Sequence, residues 1–580
     1  MRMGKALSWG LSALAAYLAV LYILFYYPSA ETPHSFLWLP AFSALTAANR
    51  RFFVEKDRRM ARCAWWLGFL LALSFFVGVQ AHRSFGGIGD VFCVFGAALC
   101  VSPSAAFLVG RACRFCEKAA RSRVSASDSA ANCSERLLFA GYTAILLLCW
   151  LPVFLAYYPG IFTYDVGKQI YETGRASYTT HHPLLHTFML GGFYNLGGRM
   201  GSHNTGIALY TGVQMILIAL TLAYALLYLR RLNCRRLIRV LVLLFFSFFP
   251  PCPLLAISAT KDALYAPAFL MSALYLHQGY ADPSRFRSVP FMLRLVLSLA
   301  LICLLRNNAV FVAAFGLVFG VILIREKKAR LRFAALMLAG MVLFGAVSLG
   351  LQKVVRVKPG PGRELLNIPI QQVSRVYKRH LEELDCAAEI EEILPKARYY
   401  TYYTADPVKG YAEIGMNNLG EFMRLWSKLL AQYPFEYIDA FLLANIGFWH
   451  LDDTSYAQVY GAGLDSRQGY LMTDTIPGYG VEHHSLLPAL ENLYERLFSA
   501  NEYLSVPVVS ALFSPAFFTW LLAFAAVYAI YAKQKAALLS CAFLFGNLLT
   551  LLLGPCALVR YAFPMMLSCP VLFGVAFRRT

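Results

Sequence analysis

Four short polar groups lie beside long apolar runs, and their side chains are of the kinds that carry acid–base and anion chemistry. The first reads Tyr157-Tyr158-Pro159-Gly160, continues to Asp165, Lys168 and Gln169, and is followed by His181-His182-Pro183-Leu184. The others are Lys261-Asp262, Arg306-Asn307-Asn308 and Arg560-Tyr561, each beside a long apolar run. A single carboxylate among aromatics close to a low-dielectric region is expected to have a raised pKa, which suits a general base. Asp is also a favoured N-cap, so Asp165 serves equally well to start a helix near Val166. The cationic groups suit a phosphate: Lys as a point charge, and Arg through a bidentate fork where a leaving group gains negative charge. Taken singly, each is also an ordinary anchor at the end of an apolar helix.

The elements that must position these groups are helices in a membrane. Hydrophobic residues make up 59% of the 580 and charged residues 14%, far from the balance of a soluble chain. Runs long enough to cross ~30 Å of hydrocarbon recur. Fourteen spans are expected, at 7–27, 34–49, 63–81, 90–110, 137–157, 206–229, 239–257, 262–279, 291–305, 308–325, 332–352, 507–531, 536–554 and 560–577. The pair at 291–305 and 308–325, parted by Arg306-Asn307-Asn308, reads as a broken helix or a tight hairpin. Pro250-Pro251-Cys252-Pro253 marks another break.

Lys and Arg in short loops remain on the cytoplasmic side. With the N-terminus inside, the clusters at 50–62, 111–136, 230–239, 285–294 and 325–332, with Lys533, Lys535, Arg578 and Arg579, all fall on that side. The loop of Asp165 then faces away from the cytoplasm, as do Lys261, Arg306 and Arg560. The net charge of +20 is therefore topological and does not indicate nucleic acid. Residues 183–200 would invert this pattern if they crossed, so they are expected to lie along the outer interface as a juxtamembrane helix. The first apolar run follows Met1-Arg2-Met3-Gly4-Lys5, lacks a small-residue cleavage site and reads as an uncleaved span.

The fold class expected is an all-α polytopic membrane protein of about fourteen transmembrane helices with both termini cytoplasmic. It divides into a four-helix membrane unit at 1–136, a membrane core at 137–352 with an outer loop at 158–205, a small mostly α-helical extracytoplasmic domain at 353–506, and C-terminal helices at 507–580. The outer domain is rich in tyrosine, including Tyr399, Tyr400, Tyr402 and Tyr403, which suits sugar stacking or contact with the lipid interface. No phosphate loop or nucleotide-binding glycine pattern occurs, which argues against an ATP-driven pump. Cys113 and Cys116 with Cys133 have a spacing zinc can use, but lack a second pair or a histidine. His450, Asp452 and Asp453, and Glu482, His483 and His484, are ligand-type side chains without the fixed spacing of a zinc helix.

The arrangement of Asp165 ahead of His182-Pro183-Leu184 resembles the GT-C superfamily of membrane glycosyltransferases, in which an acid in the first large outer loop precedes a juxtamembrane helix opening on a His-Pro-Pro-Leu-like segment. The run from Tyr158 to Pro183, with Asn367 to Gln372 and Ala405 to Lys409, also resembles a bacterial membrane family of unknown function. The likeness to GT-C is strongest over 137–230 and architectural elsewhere. It implies a sugar donor carried on polyprenyl phosphate and an envelope glycan, lipid or protein as acceptor, on the outer face of a bacterial plasma membrane. It implies Asp165 as base, with Lys168, His181, His182, Lys261, Asp262, Arg306, Arg560 and Tyr561 binding substrate, and Arg560-Tyr561 matching the Arg-Tyr of the superfamily's last helix. Two departures stand out: four helices precede the acidic loop where one is usual, and Val166 stands where many members have a second acid. A divalent metal or other cofactor is therefore not expected. The competing reading is a transporter or flippase for a lipid-linked or small polar substrate, which usually needs polar groups at mid-membrane; here most lie at helix ends.

Overall fold

The computed structural model describes residues 5–26, 38–121, 134–162, 164–360, 362–415, 418–454, 479–506 and 508–576. Cys133, the tract at 123–132 and Arg578-Arg579 lie outside them. Among the described residues the chain is helical, with no strand.

The N-terminal part holds α1 (Lys5–Tyr26), α2 (Trp38–Phe53), α3 (Arg58–Arg83) and α4 (Ile88–Arg121). Asp57 caps α3 by accepting the N–H groups of Arg59 and Met60. After α5 (Glu135–Ala156) come the short α6 (Tyr164–Gly174), α7 (Leu184–Arg199), the long α8 (His203–Arg231), α9 (Arg236–Phe248) and α10 (Pro251–Ala256). The stretch expected as one span at 239–257 is thus divided between α9 and α10. Pro250, Pro251 and Pro253 lack the N–H groups that continuation would need.

Next are α11 (Lys261–Ala281), α12 (Val289–Leu305), α13 (Ala309–Leu323) and α14 (Lys327–Val355). Arg306 ends α12, and the chain turns at Asn307 and Asn308 before α13. A lateral body follows, with α15 (Asn367–His380), α16 (Ala387–Ile393), α17 (Asp406–Lys409), α18 (Leu419–Gln432) and α19 (Pro434–Asn445). The chain closes with α20 (Pro488–Phe498), α21 (Val509–Phe513), α22 (Pro515–Tyr531), α23 (Lys535–Leu551) and α24 (Phe563–Ala576).

Among the described residues, seven helical segments are long and apolar enough to cross a membrane: α1, α3, α4, α5, α8, α14 and Val559–Ala576, which ends in α24. Helices α12, α13, α22 and α23 are apolar but shorter. The largest core joins α5, α8, α11, α12, α22, α23 and α24 around Trp150, Tyr265, Phe269, Phe543 and Met566. Helix α14 contributes little to it, only 11% of its apolar window being buried.

The stretch expected as one domain at 353–506 contains two kinds of packing. Residues 366–437 close on a core of their own, including Ile370, Val373, Tyr377, Phe422 and Leu425. Val481, Phe498 and Tyr503 join the main core instead. The lateral body is locked to the α3–α4 turn by a buried charge network. Arg375 Nη2 donates to Asp439 Oδ2 and Ser84 Oγ, both at 3.0 Å, and Nε donates to Glu436 Oε2 at 2.6 Å. The Phe85 N–H donates to Asp439 Oδ2 as well, at 3.0 Å.

Candidate functional site

A single parallel pairing of backbone sets the site. The Ile161 N–H donates to the Ile257 carbonyl at 3.1 Å and the Ala259 N–H to the Ile161 carbonyl at 3.0 Å. Each segment then enters a helix at once, so the first turns of α6 and α11 stand side by side. Gln214 on α8 fixes one of them by donating to the carbonyls of Ala256 and Ser258, both at 2.8 Å. Gly160 fits the other with a φ of 141°, where a Cβ would lie 2.6 Å from Thr211 Cγ2. The Thr211 hydroxyl holds the neighbouring Pro159 carbonyl at 2.7 Å.

Asp165 therefore sits inside the first turn of α6, which begins at Tyr164, rather than capping a helix from Val166. Its Oδ2 lies 3.3 Å from Lys261 Nζ and 3.5 Å from Arg560 Nη2. Arg560 Nε lies 3.5 Å from Asp262 Oδ2, and Arg306 Nη1 is 2.9 Å from Asp262 Oδ1. The ring of Tyr561 lies 4.7 Å from the Arg306 guanidinium and 5.4 Å from that of Arg560. Four separated segments thus assemble three cations against two carboxylates, leaving positive charge in excess. The second acid absent beside Asp165 in the sequence is supplied in space by Asp262.

The raised pKa expected for Asp165 is reversed. Burial does push its carboxyl up, but Lys261, Arg560 and His182 together outweigh that and hold it well below the usual carboxylate range. The expectation failed because the cations come from segments about 100 and 400 residues away.

His182 and His181 lie at the edge of this cluster. Lys261 Nζ is 3.5 Å from His182 Nδ1. An ammonium can only donate, so Nδ1 accepts and the neutral ring carries its proton on Nε2. That Nε2 is buried without a partner among the described residues. Burial first, then Lys261, pushes the His182 imidazole down to about 2. His182 also lines a cavity of about 210 Å³ together with Thr180, Asn307, Leu304, Phe344 and Gln352. Its lining mixes polar groups, including Thr180, His182, Asn307 and Gln352, with apolar ones, including Leu304, Phe344 and Leu351.

The lateral body reaches the same place. The Thr180 N–H donates to the Lys358 carbonyl at 3.1 Å, and the Gly360 N–H donates to Thr180 Oγ1 at 2.7 Å. Lys409 bridges Glu364 at 2.9 Å and Asp406 at 2.8 Å, with Glu364 3.9 Å from His181. His181 is lowered by burial and then by Lys168. Lys168 itself is exposed and stays outside the ion-paired cluster.

Sequence reasoning missed a positioning network beneath Asp165. Gln169 Nε2 donates to His186 Nδ1 and Thr187 Oγ1, both at 2.9 Å, and His186 Nε2 then donates to the Tyr210 hydroxyl at 2.8 Å. It ties α6 to α7 and α8. Its signal in the sequence was a third imidazole, His186, four residues beyond His182.

The other ligand-type groups lie elsewhere. Asp453 pairs with His82 at 3.2 Å, and His450 packs on Gly78 of α3. His483 pairs with Glu491 at 2.6 Å, while His484 is exposed. Cys113 and Cys116 are buried one turn apart in α4. Among the described residues no group of three His, Cys, Asp or Glu is placed to hold a metal ion. Both site carboxylates face cations, a donor set that does not fit a divalent ion.

Residues 173–579 match DUF6020, a family of unknown function. The match takes in His181, His182, Lys261, Asp262, Arg306, Arg560 and Tyr561 and begins just beyond Asp165. No curated protein and no solved structure matches the chain.

Proposed function

We propose that this chain, which belongs to the DUF6020 family of unknown function, transfers a sugar from a polyprenyl-phosphate carrier to an envelope glycan, lipid or protein. The observation that carries the reading is the meeting of Asp165 and Asp262 with Lys261, Arg560 and Arg306, drawn from four separate segments into one largely buried cluster. Its excess positive charge suits a phosphate, and the adjacent 210 Å³ cavity offers the amphipathic surroundings that a phosphate attached to a long hydrocarbon needs.

In this reading the carrier phosphate engages Arg560 and Lys261, with Arg306 steadied by Asp262 and Tyr561. An acceptor hydroxyl attacks the anomeric carbon as the bond from that carbon to the phosphate oxygen breaks. Asp165 takes the hydroxyl proton, and the cations neutralise the departing phosphate. A single displacement inverts the anomeric centre. The resting carboxylate is a weak base because cations surround it. A bound phosphate shares those cations and raises its basicity when the acceptor is in place. The protein crosses the membrane about fourteen times with both termini in the cytoplasm. The site and the lateral body then lie on the outer face, away from the basic loops.

The test is envelope sugar analysis in cells with the gene, without it, and with Asp165→Asn. Loss of one sugar component that wild type restores and Asp165→Asn does not is expected. An unchanged composition overturns the proposal.

A further inference from the structure

Helices α11 and α12 run away from the candidate site to a turn at Pro283–Arg287, and α14 starts beside that turn. A second pocket of about 460 Å³ opens there, lined by Phe286, Arg287, Met292, Arg332, Ala335 and Leu336. Seventeen residues of α12 rise about 26 Å, so this pocket and Arg306 stand roughly one hydrocarbon thickness apart. Its back wall is firm. Phe286 is buried, fills the space beside Gly279, and lies 6.0 Å from the rings of both Phe291 and Phe333.

The charges at its rim are unbalanced. Neighbouring Arg285 is held by Asp282 and Gln278, both at 3.2 Å. Arg287 and Arg332 have no hydrogen bond or ion pair with any described residue. Two unpaired guanidinium groups over an apolar hollow match a ligand that carries an anionic oxygen cluster on a hydrocarbon body. A soluble polyphosphate or nucleotide would find no polar partners below the arginines.

We propose that this pocket binds an anionic phospholipid, its phosphate between Arg287 and Arg332 and its chains along Met292, Ala335 and Leu336. The site needs only that these helices lie in a bilayer and is independent of the transferase reading. Its ligand bridges α12 and α14, whose opposite ends line the cavity at His182.

The test uses the full chain in nanodiscs of equal phosphatidylglycerol and phosphatidylcholine, followed by delipidation and native mass spectrometry. Wild type is expected to retain phosphatidylglycerol selectively. Arg287→Gln with Arg332→Gln should lower that retention about tenfold, the loss of charge-assisted contacts. Ala335→Trp, which fills the hollow but keeps both arginines, should lower it comparably. Thermal transitions within a few degrees of wild type establish that the variants fold, and Ala335→Phe replaces Ala335→Trp if the larger ring prevents folding. Equal retention of the two lipids by wild type overturns the proposal. So does loss on removing the arginines without loss on filling the hollow, because that pattern is diffuse surface attraction.

Discussion

Burial and ion pairing push the Asp165 carboxyl in opposite directions, and the cations prevail. A carboxyl held below its ordinary range binds its proton less readily when folded than when unfolded, so its contribution to stability is present above the usual carboxylate pKa and is lost as pH falls beneath it. Melting curves of wild type and Asp165→Asn should therefore differ near neutrality and begin to converge only as pH falls below about 4. With His182 neutral and Asp165 ionised, neither is expected to titrate between about pH 5 and 8, and transfer should show no acid limb in that range from either group. Arg560 spans Asp165 and Asp262 with different nitrogens, a reach that lysine lacks. Arg560→Lys is expected to lower kcat/KM by about 10- to 100-fold while its melting temperature stays near that of wild type, since the charge remains. Retained activity would remove Arg560 from the phosphate site. The types of these residues were legible as polar breaks in apolar sequence. Their pairing was not, because nothing in local spacing says which helix ends meet.

Gly160 shows how backbone conformation sets the distance between α6 and α11. An alanine there would keep an unfavourable φ and meet Thr211 Cγ2 at 2.6 Å and the Ile257 carbonyl at 3.0 Å. Gly160→Ala should destabilise by about 1–3 kcal/mol, seen as a lower melting temperature. Adding Thr211→Ser removes the methyl but keeps the hydroxyl that holds Pro159, and should recover part of the loss. No recovery would mean that φ strain and the carbonyl contact dominate. The Arg375 network is the comparable device for the lateral body. Arg375→Ala leaves Asp439 buried without its cation and is expected to cost about 3–5 kcal/mol, whereas Arg379→Ala at the exposed edge should cost under about 1 kcal/mol. Helices were largely legible from apolar runs, and the proline break after Phe248 was legible as well. The split of 353–506 was not, because Val481, Phe498 and Tyr503 look like any other apolar residues until their partners are known.

The proposed orientation rests on the charge asymmetry of the loops, and the two ends of one helix pair make it testable. Arg306, Lys261 and Arg560 gather at one end of the α11–α12 pair, and the Arg287–Arg332 pocket lies at the other. Two opposite ends separated by about a bilayer thickness should face different compartments. The segment leading into the lateral body is held at the Asp165 end, where Thr180 bonds the Lys358 carbonyl and the Gly360 N–H. Alkaline phosphatase, which folds only outside the cytoplasm, should thus be active when inserted after exposed Glu383 and inactive when inserted after Lys328. The reverse pattern would turn the molecule over, place Asp165 beside the cytoplasmic nucleotide-sugar supply, and remove the reason for a lipid-borne donor. Activity at both insertions would mean that α14, the one long apolar helix between the two points, does not cross.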